Sequence, residues 1–222
     1  MFCSLDHRLR KADSMFHPVD RLPRRTRSDA GYTLIEIMVV CALVGIVGAM
    51  AVPSTISTMA GFRLKGDAEG INNMASLAKM RAASQYSRAR VYADLNASTY
   101  QLQTWDKTNA VWTTEGGVKT LATGVTFGVG NITIAPPNTQ AAIGQSPQCT
   151  DNGGANIANT ACITFNSRGM PVTNGLPPAG GVTGNSGLYV TDGVTVYGTT
   201  ITTTPLIKMW WSPNSNNKWV RQ

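Results

Sequence analysis

The chain has 222 residues, of which 42% are hydrophobic and 14% charged, and its formal net charge at pH 7 is +7. This composition supports one modest domain with a real core, and its 22 glycines favour short strands and turns over a helical bundle. Much of the positive charge precedes residue 32, so we do not take the charge as evidence for nucleic-acid binding: Arg8, Arg10, Lys11, Arg21, Arg24, Arg25 and Arg27.

An apolar run follows this basic segment. Residues 37–52 contain no charge, and together with residues 32–36 they just reach the roughly 20 residues that span a bilayer. Basic residues precede the run and few charges follow it. The positive-inside rule therefore predicts a cytoplasmic leader over residues 1–31, a membrane-spanning and assembly helix over residues 32–53, and the rest of the chain outside the cytoplasm.

The run has three interpretations. One is a secretory signal, because Ala49-Met50-Ala51 matches the small-x-small cleavage pattern. Another is a plain membrane anchor. The third is a signal whose leader is removed while the apolar segment is retained. Glu36 favours the third, because a carboxylate at the edge of a membrane helix costs a few kcal/mol unless it is paired, and the other two have no use for it.

The segment "GYTLIEIMVV", residues 31–40, resembles the processing site of type IV pilins and type II secretion pseudopilins. The resemblance implies that a prepilin peptidase cuts after Gly31 and methylates Tyr32, which stands where the family more often has Phe. It implies that Glu36 pairs with the N-terminal amine of a neighbouring subunit in the filament core, and that Pro53 kinks the helix. The implied partners are the inner membrane, the peptidase/methyltransferase, and other major and minor pilins or pseudopilins.

Residues 54–92 are predicted to continue the helix. Small and apolar residues recur at three- and four-residue spacing: Ile71, Met74, Ala75, Ala78, Ala82, Tyr86 and Ala89. Three glycines weaken the middle of this helix, where we expect a break or a loosening: Gly61, Gly66 and Gly70. Four cations are predicted to form a solvated face, or alternatively a polyanion-binding face: Lys79, Arg81, Arg88 and Arg90.

Beyond residue 92 the period becomes two, which predicts a β-rich head over residues 93–222. A hairpin is expected around Asn96-Ala97-Ser98 and a turn at Ser167-Arg168-Gly169. Further short strands are read from "AVWTT", "VKTLA", "VTFGV", "ITIA", "ACITF", "GLYVTD", "VTVYGTTITT" and "PLIKMWW". The predicted fold class is α+β and pilin-like, with one long N-terminal helix packed on a mostly antiparallel sheet.

Two later segments resemble the GspH/FimT branch of the pilin superfamily: "MASLAKMRAASQYSRARVYADL", residues 74–95, and "ITFNSRGMPV", residues 163–172. This resemblance implies a minor pseudopilin. Such a protein is a structural subunit that initiates or caps a filament of a type II secretion system or a type IV pilus, with its head in the periplasm.

Cys149 and Cys162 bracket a Gly/Asn-rich loop in the polar part of the chain. Zinc would need more ligands than this pair, so we predict a disulfide, with two buried thiols as the alternative. Asp151-Asn152-Gly153-Gly154 predicts a turn, and a calcium loop is the alternative.

No histidine follows residue 17, and no catalytic or nucleotide-binding motif is present. We therefore expect no enzymatic activity, no cofactor and no metal. A second function remains open, which is DNA capture by the tail through Lys208, Lys218, Trp219 and Arg221. Some FimT proteins bind DNA through a Gly-Arg-x-Arg motif, which is absent here. The competing interpretation is a last hairpin that buries its tryptophans against the helix.

Overall fold

The computed structural model of the chain describes residues 31–177, 180–184 and 186–222, with the backbone alone over residues 50–57. The predicted leader therefore lies outside the described residues, apart from Gly31. The chain divides into two compact units, Met1–Val47 and Gly48–Gln222, and each is treated by itself below.

Helix α1 extends over Leu34–Ser84 and is continuous through Gly61, Gly66 and Gly70, so the predicted break is wrong. Packing explains one of these glycines. A Cβ atom at Gly70 would lie 2.3 Å from the hydroxyl oxygen of Tyr100, whereas one at Gly66 would meet nothing within 4 Å. Gly70 therefore admits a close approach between helix and sheet, which offsets its low helix propensity.

In the second unit, α1 packs through a narrow stripe of buried residues that are spaced alternately by four and three positions: Leu64, Ala68, Ile71, Ala75, Ala78 and Ala82. This spacing keeps the side chains on one face of a 3.6-residue helix. Because four of the six are alanines, the strands can pack close to the helix backbone. The alanine-rich stripe predicted from the sequence is thus confirmed as far as Ala82.

The helix ends at Ser84, earlier than the predicted residue 92, and Tyr86 lies outside the stripe with 76% exposure. The amide of Ser87 donates to the carbonyl of Ala82 at 3.1 Å, and the amide of Tyr86 donates to the carbonyl of Ala83 at 3.3 Å. With Tyr86 in the left-handed region at φ 49°, this is a Schellman motif, which terminates the helix.

The strands form two five-stranded antiparallel sheets, where the sequence suggested one. In spatial order the first sheet contains β3 (Val111–Thr120), β2 (Thr99–Asp106), β1 (Ala89–Asp94), β5 (Thr160–Phe165) and β6 (Pro171–Val172). The second contains β10 (Val220–Arg221), β9 (Ile207–Pro213), β8 (Thr195–Ile201), β7 (Ser186–Thr191) and β4 (Thr126–Phe127).

Residues from both sheets join the stripe of α1 in one core. The first sheet contributes side chains such as Val91, Leu102 and Phe165, and the second contributes Leu188 and Val190. Alternation along the strands turns every second residue to the opposite face, which holds a smaller apolar cluster in the second sheet. That cluster contains Ile132, Tyr189 and Val196, with Trp219 packed against it.

The predicted strands are mostly confirmed, with two exceptions. "AVWTT" and "VKTLA" contribute to one strand, β3, whose register against β2 shifts between Glu115 and Lys119. "ITIA" is not a strand. Its amides at Thr133 and Ile134 both donate to the side-chain oxygen of Asn217, so a side chain replaces the partner strand that the pattern required.

Candidate functional site

The head of α1 is capped by the same residues that form the predicted processing motif. The amide of Glu36 donates to the side-chain oxygen of Thr33 at 3.3 Å and to its carbonyl at 3.1 Å. Thr33 is thus the N-cap of the helix and Glu36 its third residue, which is the spacing of a capping box. A carboxylate in the first turn also interacts favourably with the helix dipole. Glu36 therefore has a local role in addition to the one that the resemblance implies.

Gly31 and Tyr32 lie just before this cap in an exposed, non-helical segment. Tyr32 is 78% exposed, and a Cβ atom at Gly31 would meet nothing within 4 Å. Packing in the described structure therefore does not require a glycine at residue 31. Both residues that flank the predicted cleavage site are therefore exposed.

After the cap, the first turns of α1 expose apolar side chains on every side of the helix: Leu34, Ile35, Ile37, Met38, Val39, Val40, Leu43, Val44, Ile46 and Val47. Such a surface is unstable in water and marks a site of contact with apolar surroundings. Glu36 makes no ion pair within the described chain. Cys41, also on this segment, is exposed and unbonded.

Among the residues that the structure describes, no helix combines the length and the apolar character needed to cross a membrane. The span predicted over residues 32–53 is therefore not confirmed and stays a prediction. The backbone of α1 is helical through Pro53, whose side chain lies outside the description, so the predicted kink there also stays untested.

The predicted disulfide between Cys149 and Cys162 is present, with both residues buried. It closes a loop over the outer face of the first sheet. The predicted turn in this loop is also confirmed, because the Asp151 carboxylate accepts hydrogen bonds from the amides of Gly153 and Ala155 at 2.8 and 2.9 Å. In the described residues, no group of His, Cys, Asp or Glu is arranged to hold a metal ion.

Arg90 anchors the disulfide loop to the sheet. It is 2% exposed, donates to the side-chain oxygen of Gln103 and the carbonyl of Thr150, both at 2.8 Å, and stacks over the ring of Trp112. Burial lowers the pKa of Arg90 to about 10, although Tyr92 raises it. This arginine stabilises the fold, so both the solvated face predicted for it and the polyanion-binding alternative are wrong for Arg90.

The other cations of that predicted face are also engaged. Arg88 lies beyond the helix and is buried, and it donates to the carbonyl of Gly175 at 2.6 Å. Arg81 pairs with Glu115, and Lys79 donates to the carbonyl of Pro205 at 3.1 Å. The early end of α1 separates Arg88 from the helical cations, which the helical spacing alone did not predict.

The tail forms the predicted hairpin, in which Trp210 pairs with Arg221 across β9 and β10. Trp210 is buried and donates from its ring nitrogen to Thr200. Trp219 donates to the carbonyl of Ile134 at 2.7 Å and packs on Tyr189, so it does not pack against the helix as expected.

Among the residues predicted to contact DNA, Trp219 is therefore held in a packed cluster. The cations Lys218 and Arg221 are exposed, and Lys208 is half-buried on β9. Strand alternation places Lys208 on the same face of the second sheet as Arg221, whereas Lys218 precedes β10.

A model of the prokaryotic N-terminal methylation motif matches residues 26–52, which include the cap, Glu36 and the exposed apolar turns. No curated protein matches the chain. Two solved structures of the minor pseudopilin EpsH from the type II secretion system of Vibrio cholerae are similar to it. One is 11% identical, with a TM-score of 0.39, and the match covers 66% of this chain and 92% of the EpsH chain. The other is 12% identical, with a TM-score of 0.32, and the match covers 72% of this chain and 96% of the EpsH chain. Over these residues the chain carries the methylation motif, with its glycine, aromatic residue and carboxylate at residues 31, 32 and 36, and this match supports the resemblance to type IV pilins and pseudopilins.

Proposed function

We propose that the chain is a minor pseudopilin of the GspH/FimT type, a structural subunit without enzymatic activity. In this function it initiates or caps a filament of a type II secretion system or a type IV pilus. The observation that carries the proposal is the head of α1. A capped helix exposes apolar side chains all round and carries a single carboxylate, Glu36, within the methylation motif.

The apolar turns first place the precursor in the inner membrane, with the head in the periplasm, and prepilin peptidase then cuts between Gly31 and Tyr32. In the filament, the same turns pack between neighbouring subunits. Burying Glu36 there is tolerable only if a cation neutralises it, because an unpaired buried charge costs several kcal/mol. The methylated amine of Tyr32 on a neighbouring subunit supplies that cation. The head is left to contact other pseudopilins.

The spacing of Thr33 and Glu36 allows a matched pair of variants at this position. Glu36→Gln keeps the capping geometry, since glutamine serves equally at the third helical residue, but removes the charge. Glu36→Asp keeps the charge and shortens its reach. We expect both precursors to be processed normally, while Glu36→Gln fails to enter filaments, as measured by co-purification with sheared filaments.

If the carboxylate only caps the helix, Glu36→Gln will assemble like the parent, and the pairing role is then wrong. The site of cleavage is tested separately by mass spectrometry of the mature N-terminus. Gly31→Ala disturbs no contact in the fold, so slower or absent cleavage in this variant reports recognition by the peptidase. Unchanged cleavage would place the cut elsewhere.

A further inference from the structure

A cavity of about 410 Å³ lies where α1 ends and the first sheet begins. This volume is in the range of small-molecule sites. Aromatic, cationic and small polar residues line the cavity, among them Tyr86, Arg88, Trp105, Lys107, Asn166 and Ser167. Two of its lining residues are cations and none is acidic, so the cavity favours an anion.

The two cations are held in place by the backbone around the cavity. Lys107 donates to the carbonyl of Tyr86, and Arg88 donates to the carbonyl of Gly175. The acidic residue next to Lys107 in sequence is Asp106. Its carboxylate accepts hydrogen bonds from the amides of Thr108 and Asn109 within its own turn, so it is already engaged there.

Tyr86 is unusual at this position. It occupies the left-handed region at φ 49°, where glycine is the common residue at the end of a Schellman motif, yet its side chain is 76% exposed. Packing within the chain does not account for an exposed aromatic residue in a strained conformation. Strain of this kind is often kept for function, and Tyr86 lines the cationic cavity.

We propose that this cavity binds a flat aromatic anion, namely a nucleotide. Its phosphate contacts Arg88 and Lys107, and its base stacks against Tyr86 and Trp105. Charge-assisted hydrogen bonds hold phosphate oxygens, and aromatic rings stack on any base. A free nucleotide and a single-stranded nucleic acid share this chemistry, and the experiment distinguishes them.

The test uses the full chain in non-ionic detergent and measures equilibrium binding of AMP, adenosine, inorganic phosphate and a short single-stranded oligodeoxynucleotide. We expect AMP to bind at least tenfold more tightly than adenosine or phosphate, because only AMP carries both groups. Binding of the oligonucleotide together with AMP identifies a strand as the source. Binding of AMP alone identifies a free nucleotide.

Tyr86→Gly separates a ligand role from a structural one. Glycine relieves the backbone strain, so the variant should be as thermally stable as the parent or more so, while its affinity falls about tenfold through lost stacking. Lys107→Ala should weaken binding by a similar factor, and Lys107→Arg should restore it. Lys119→Ala, which removes an exposed lysine on β3, is the control for general charge and should bind like the parent.

Two results would overturn the proposal. One is the absence of binding by both AMP and the oligonucleotide in the parent chain. The other is binding that Tyr86→Gly and Lys107→Ala leave unchanged, or that Lys119→Ala weakens as much as Lys107→Ala does, which would show a diffuse attraction to surface charge.

Discussion

Replacing each of two helical glycines by alanine should change stability in opposite directions. At Gly66, which is exposed, the new methyl group meets nothing within 4 Å. Alanine is favoured over glycine in a helix interior by about 0.5–1 kcal/mol, so Gly66→Ala should raise the free energy of unfolding by that amount. The same propensity gain applies at Gly70, but there packing opposes it.

At Gly70 the added Cβ would lie 2.3 Å from the hydroxyl oxygen of Tyr100. Tyr100 is 4% exposed and its ring has little room to retreat, so overpacking should cost about 1–3 kcal/mol. Subtracting the propensity gain leaves Gly70→Ala destabilised by about 0–2.5 kcal/mol. The two alanine variants should therefore differ by about 1–3 kcal/mol.

Tyr100→Phe provides the control, because it removes the clashing oxygen. The next atom of that ring, Cζ, lies 3.5 Å from the position of the new Cβ, which is an ordinary contact. In this background Gly70→Ala should become stabilising, like Gly66→Ala. Urea denaturation of the four chains in non-ionic detergent gives the coupling energy of the double-mutant cycle. If Gly70→Ala stabilises the parent as much as Gly66→Ala does, or if the coupling is near zero, the close approach does not determine stability.

Two further predictions concern the outer surface of the first sheet. Cys149→Ser combined with Cys162→Ser opens a loop with a sequence separation of 13, so the free energy of unfolding should fall by about 3 kcal/mol; equal denaturation midpoints with and without reductant in the parent would contradict this. At Asp106, hydrogen bonds from the Asn109 side chain and from the amides of Thr108 and Asn109 lower the carboxyl pKa below its ordinary value of 3.8. The ionised carboxylate therefore stabilises the fold above pH 3.8, and this contribution to folding stability is lost as the pH falls through the lower pKa of the folded state. Asn109→Ala should raise that pKa in an NMR titration, because the side-chain bond is its largest cause, and an unchanged pKa would show that the backbone amides suffice.

Features set by local pattern could be read from the sequence. The stripe on α1 followed from its three- and four-residue spacing, and the first hairpin from its period of two. The disulfide followed from the absence of histidine near Cys149 and Cys162, which leaves too few ligands for zinc. These predictions depend on residues that are close in sequence, or on chemistry that few residue types can perform.

The failures have one physical cause, which is that distant parts of the chain complete the local pattern. Gly70 suggested a break, but the hydroxyl of Tyr100 occupies the space that a side chain would take. Arg90 fitted a solvated helical face, but it is buried on β1 because the carbonyl of Thr150 and the ring of Trp112 receive it. The cavity beside Tyr86 is likewise formed by the end of α1 together with the turn after β2, so no single sequence motif predicted it.

Two stretches of α1 differ in how far the chain buries their apolar side chains, and this difference supports the proposed assembly. Over residues 64–82 only a narrow stripe is buried, and the chain's own strands cover it. Over residues 34–47 the apolar side chains point in all directions and are exposed, so the chain provides them with no cover in the described structure. Apolar surroundings from outside must therefore complete this second stretch. A lipid bilayer and a bundle of neighbouring helices both supply such surroundings, and in the proposed function the bundle also brings the amine of a neighbouring Tyr32 to Glu36. Removing the charge at residue 36 while keeping its cap should therefore impair assembly and leave membrane insertion intact.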